Sequence, residues 1–73
     1  MYIQSVSDLG SIIRKQRKSL KLTQTQVAER CNTGVRFIVD LENGKPTIQM
    51  GKAIDLARAL GIQIKLDIYN VEE

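Results

Sequence analysis

Seventy-three residues with eleven Lys and Arg against eight Asp and Glu carry a formal net charge of +3, and the chain has no histidine and a single cysteine. That length holds one domain and no second core, and the composition rules out an internal disulfide and removes the commonest zinc ligand and general base. No apolar run approaches a membrane span and the N-terminus has no secretion-signal core, so a cytoplasmic, non-enzymatic protein without metal, cofactor or membrane partner is expected.

Ser5-Val6-Ser7-Asp8 has the pattern of a capping box, which starts a first helix near Val6. Leu9, Ile12, Ile13, Gln16 and Leu20 then recur at helical spacing as its inner face. Arg14, Lys15, Arg17, Lys18 and Lys21 follow with no acid between Asp8 and Glu29, whereas Asp67, Glu72 and Glu73 end the chain. A basic front and an acidic tail suit a molecule that meets phosphate with one surface.

Thr23 is an N-cap for a second helix from Gln24 to Cys31, in which Val27, Ala28 and Cys31 make the apolar face. Ala28 is small enough to let another helix cross closely, and Cys31 on that face reads as a buried small hydrophobe in a reducing compartment. Asn32-Thr33-Gly34 is turn chemistry. Val35, Ile38 and Leu41 restart the 3.6-residue period, and Asn43-Gly44 stops a third helix from Val35 to Asn43. Two short helices joined by so tight a turn predict a helix-turn-helix.

Pro46 breaks continuity, and Thr47 is the expected cap of a fourth helix from Ile48 to Leu60 with Ala53, Ile54, Ala57 and Leu60 inside. Gly51 is expected at a close backbone contact, and Gly61 as a stop. From Ile62 the period changes to 2, with Ile62, Ile64, Leu66 and Ile68 alternating with Gln63, Lys65, Asp67 and Tyr69. One strand needs a mate. Met1 to Gln4 is a short candidate within the chain, and the same strand of a second copy is the more economical one, since a two-fold axis supplies an antiparallel partner. The expected organisation is a mostly α domain of four or five helices over residues 1–61, a dimerisation strand over 62–69 and a tail over 70–73.

Leu22-Thr23-Gln24, Val27-Ala28, Ile38 and Leu41-Glu42-Asn43-Gly44-Lys45 resemble the Xre/Cro family of phage-repressor-like DNA-binding domains, from about Ile12 to Ile62. Gly34-Val35-Arg36-Phe37-Ile38 and the run from Leu41 to Thr47, with the tail Gly61 to Ile68, resemble more narrowly the HipB-type antitoxins, including those called Y4mF-like. The resemblance implies a lambda-repressor-like helix-turn-helix fold and a homodimer on a palindromic operator in double-stranded DNA. It also implies a partner, a HipA-like serine/threonine kinase toxin.

In a helix-turn-helix the second helix turns its N-terminal residues to base edges while the first crosses the backbone. Base reading therefore falls to Val35, Arg36 and Asp40. Arg36 suits guanine N7 and O6, with a phosphate contact or an i,i+4 pair with Asp40 as alternatives. Val35 suits a thymine methyl and Asp40 cytosine N4. Phe37 stands where the family usually has a small polar residue; it packs toward the fourth helix or wedges against the sugar backbone, the core being the simpler place. Backbone contacts fall to Gln24, whose counterpart in the family meets a phosphate, to Thr33 and Gly34 in the turn, and to Asn43 and Lys45, which resemble the family's clamp after the reading helix. Arg14, Arg17 and Lys18 add electrostatic steering, and Glu42 reads as structural. Direct readout is thin in this set, which gives DNA shape more of the work.

The function that follows is a sequence-specific transcriptional repressor, with the HipB resemblance implying an antitoxin. A free-standing repressor of phage or restriction-controller type is one alternative. A protein-interaction module is another, against which the basic front and the Gln24, Asn43 and Lys45 set weigh.

Overall fold

A computed structural model describes residues 3–65. They form four α-helices: α1 (Val6–Ser19), α2 (Gln24–Arg30), α3 (Val35–Glu42) and α4 (Met50–Ala59). Local chemistry explains the starts of the first two. The Ser5 hydroxyl accepts from the Asp8 N–H at 3.2 Å, as the capping pattern predicts. Thr23 accepts from the Gln26 N–H at 3.1 Å while the Gln26 side chain accepts from the Thr23 N–H at 2.8 Å, a complete capping box.

All four helices end in the same way. Lys21 and Leu22 donate to Lys18 and Arg17, Asn32 and Thr33 to Glu29 and Ala28, Gly44 and Lys45 to Leu41 and Asp40, and Gly61 and Ile62 to Arg58 and Ala57. These paired bonds are Schellman motifs, which satisfy the last carbonyls by turning one residue left-handed. That residue is Lys21 (φ 58°), Asn32 (φ 52°), Gly44 (φ 76°) or Gly61 (φ 83°).

One core joins the helices: Leu9 and Ile13 of α1, Val27 and Ala28 of α2, Ile38 and Leu41 of α3, and Ala53, Leu56 and Ala57 of α4, closed by Leu60. Gln16 Nε2 donates to the Leu60 carbonyl at 2.9 Å and fastens α1 to the end of α4. At Gly10 a Cβ would overlap the Leu41 carbonyl oxygen, so α1 and α3 cross there with no side chain between them.

Several expectations are corrected. Leu20 is exposed rather than inward, because it is already the C-cap of α1. The glycine at a close contact is Gly10, whereas a Cβ at Gly51 would meet nothing within 4 Å. Thr47 does not cap α4; after Pro46 the Ile48 N–H closes a turn onto the Lys45 carbonyl at 3.1 Å, so the helix begins only at Met50 with Gln49 as N-cap. The expected C-terminal β-strand is absent among the described residues. Residues 62–65 form no ladder; the Ile62 N–H is spent on closing α4, its side chain packs against the core, and Ile64 is exposed. Residues 3 and 4, the candidate mate within the chain, are in no strand either. Alternating apolar residues fit a strand only where a second backbone accepts the ladder bonds. Leu66 and Ile68 lie outside the described residues.

Candidate nucleic-acid interface

The turn between α2 and α3 is built from Cys31 to Gly34. Asn32 takes the left-handed position, and Gly34 enters α3 as an extended N-cap (φ −77°, ψ 149°) with no side chain over the helix start. The tight turn and the 3.6-residue period together sort α3 into two faces. Ile38 and Leu41 are fully buried, while Val35 and Arg36 are exposed at the N-terminal end. Phe37 is half-buried against the core, with Lys52 Nζ of α4 4.7 Å from its ring centre, which favours packing over a wedge against sugar.

Behind that exposed face lies a buried ion pair. Arg17 Nε donates to Glu42 Oε2 at 2.6 Å and Nη2 donates to Oε1 at 2.9 Å, while Nη1 donates to the Leu22 carbonyl at 2.9 Å. The two side chains are 10% and 3% exposed. The hydrogen bonds to Glu42 raise the guanidinium above its ordinary range, outweighing the opposing effect of burial. Arg17 is therefore a structural cation and not part of the steering surface, a correction to the sequence reading; Glu42 is structural, as read. A signal existed: Leu9, Ile13 and Arg17 are spaced by four, so Arg17 continues the buried stripe of α1.

Gln24 Nε2 donates to Glu42 Oε1 at 3.3 Å, which ties the start of α2 to the end of α3. Its half-buried side chain is thus positioned by Glu42. Asp40 gathers two cations on the exposed side: Arg36 Nε donates to Oδ1 at 3.2 Å, and Lys45 Nζ lies 3.6 Å from Oδ2. The i,i+4 pair, one of the alternatives for Arg36, is thus formed. Asn43 is the exposed C-cap of α3. The half-buried Thr33 lines a shallow groove of about 230 Å³ with Cys31, Lys52 and Asp55, but its hydroxyl is itself buried, with no hydrogen-bond partner among the described residues, and is not exposed to meet a phosphate. Burial pushes the Cys31 thiol up from its ordinary value. Arg14, Lys15, Lys18 and Lys21 are exposed. Among the described residues, no helix is long and apolar enough to cross a membrane.

The structure thus brings Gln24 and Glu42 together, and separately Arg36, Asp40 and Lys45, with Gly34 and Val35 exposed at the start of the same helix. Comparison with known proteins adds the following. The Helix-turn-helix family matches residues 13–66. The chain is 42% identical over 64 residues (88% of this chain, 84% of the relative) to an uncharacterized HTH-type transcriptional regulator, y4mF, of Sinorhizobium fredii. It is 38% identical over 65 residues (89% and 94%) to an uncharacterized HTH-type transcriptional regulator of Methanothermobacter thermautotrophicus. It is also 36% identical over 56 residues to the immunity repressor protein of Bacillus phage phi105, covering 77% of this chain and 39% of that protein.

Proposed function

The chain belongs to the helix-turn-helix family of transcription regulators, of the Xre type, and from that premise we propose that it represses transcription by laying α3 in the major groove of an operator. One observation carries this: α3 is anchored by the buried Ile38 and Leu41 while Val35 and Arg36 stand exposed at its N-terminal end, the end that meets base edges in this motif. In this reading Arg36 reads guanine, Val35 a thymine methyl, and Asp40 an amino group of a base. Gln24, Gly34, Asn43 and Lys45 hold the backbone on either side. Open space at Gly34, where even a Cβ would meet nothing within 4 Å, supports close approach of a phosphate.

An eight-residue α3 is about 12 Å long and spans only a few base pairs, so two copies on an inverted repeat are proposed, with half-sites about one helical turn apart. Of two finer readings, the motif run Gly34 to Thr47 supports a self-regulating antitoxin that binds a HipA-like kinase. Similarity to a phage immunity repressor supports a free-standing repressor. Co-expression with the product of the neighbouring gene separates them, by complex formation and relief of growth arrest in the first case alone.

Selection of bound duplexes from a random-sequence library, followed by footprinting, tests the reading as a whole. An enriched inverted repeat is expected. Retention of no sequence above background removes it.

A further inference from the structure

A carboxylate stands in the middle of the cations that the proposed DNA face offers. Asp40 is 20% exposed at its side chain and divides its oxygens between Arg36 (3.2 Å) and Lys45 (3.6 Å). The Lys45 N–H also donates to the Asp40 carbonyl at 3.0 Å, so the Schellman turn itself folds residue 45 back over residue 40. The remaining ion pair among the described residues, Arg17 with Glu42, is buried; both exposed pairs are Asp40's. The Arg36 side chain is 85% exposed and meets Asp40 from solvent, through Nε alone.

Resting on the DNA-binding reading above, we propose that Asp40 is a specificity-determining residue which withholds Arg36 and Lys45 from phosphate, so that duplexes without a matching base edge are held weakly. On an arbitrary duplex, each cation drawn to a phosphate leaves the Asp40 carboxylate facing a polyanion with its partner lost. Only a base edge that supplies both halves of the exchange replaces those bonds. Guanine N7 and O6 accept from Arg36, and an exocyclic amino group in the major groove, cytosine N4 or adenine N6, donates to Asp40. A carboxylate on a reading helix therefore acts mainly against the wrong DNA, and the right DNA is a step that presents an acceptor and an amino donor side by side.

Asp40→Asn keeps the shape and removes the charge. Asp55→Asn on α4, an exposed carboxylate in no ion pair among the described residues, controls for the change in net charge. Both variants and the wild type are titrated on the selected operator and on a random duplex at two salt concentrations. Asp40→Asn is expected to bind the random duplex about tenfold tighter, with a salt slope steeper by about one to two counterions, and the operator at most about threefold tighter. Asp55→Asn should move both duplexes alike. If Asp40→Asn also moves both alike, the inference is wrong while the DNA-binding reading stands. It is equally wrong if Asp40→Asn weakens the operator and leaves the random duplex unchanged, which would make Asp40 a base reader only. A wild type that binds neither duplex removes both.

Discussion

The Glu42 carboxylate at the end of α3 is gripped from two prongs by Arg17 of α1, at 2.6 and 2.9 Å, and is also reached by Gln24 of α2 at 3.3 Å. One acid thus fixes the relative placement of three helices immediately behind the exposed face of α3. Because Gln24 opens α2, the same carboxylate aligns the start of the first helix of the motif with the end of the second.

Breaking this pair from one side should be severe. Arg17→Met leaves Glu42 buried without its cation and is expected to cost about 3 kcal/mol or more, whereas the double change Arg17→Met with Glu42→Leu recovers most of that loss. Urea unfolding of the three proteins, read as midpoints at unchanged slope, checks it. An unchanged midpoint for Arg17→Met would show that the pair holds nothing together.

Two glycines in helices should respond with opposite sign. Gly10→Ala puts a methyl against the Leu41 and Glu42 carbonyls, backbone that has no easy way to yield, and is expected to destabilise by about 1–3 kcal/mol. Gly51→Ala meets open space and should stabilise by up to about 1 kcal/mol through the ordinary helix preference for alanine. Thermal melts of both variants check the signs.

Lys21 is the one cationic side chain among the described residues at a left-handed C-terminal position. Lys21→Gly removes the Cβ conflict and should raise stability by about 1 kcal/mol, which in a domain of this size is roughly 4–8 °C in Tm. A lower Tm would mean that Lys21 makes up for its backbone strain elsewhere.

Burial raises the Cys31 thiol, so less thiolate is present at a given pH in the folded protein than in the unfolded chain. Alkylation near pH 8 should therefore be slower in buffer than in denaturant. Equal rates would place Cys31 in solvent.

Features that rest on a few neighbouring residues were legible in the sequence: the caps at Ser5 and Thr23, the left-handed stops at Gly44 and Gly61, and the inward pair Ile38 and Leu41 with Val35 and Arg36 outward. What depended on a second element was not. Arg17 looked like one of a run of surface cations, because its partner lies twenty-five residues away. Gly10 and Gly51 are alike as letters, and only the crossing of α1 over α3 separates them. Thr47 had the right chemistry for a cap, but the turn closing onto Lys45 left it outside α4. The alternation after Ile62 was real, yet a strand also needs a mate, and the Ile62 N–H was already committed to Ala57. At the proposed interface the Arg36 and Asp40 spacing was readable, while the second hold of Asp40 on Lys45 required the turn after α3.

Loss of one phosphate contact should look different from loss of a base contact. With Asp40 holding Lys45 back on arbitrary DNA, Lys45→Ala is expected to weaken the operator and reduce its salt slope by about one counterion, with a smaller loss on random DNA. Filter-binding titrations across a salt series check it; an operator loss with no change in salt slope would place Lys45 at a base, and equal losses on both duplexes would mean that Asp40 does not hold Lys45 back.

The most direct test of an α3 that reads bases is the affinity of Arg36→Ala for the selected operator, measured beside the same random duplex at one salt concentration. A loss of roughly 1–3 kcal/mol on the operator with little change on the random duplex is expected. Equal losses on both would make Arg36 a phosphate ligand, and no loss on either would mean that Arg36 touches neither base nor phosphate; either result contradicts its reading of guanine.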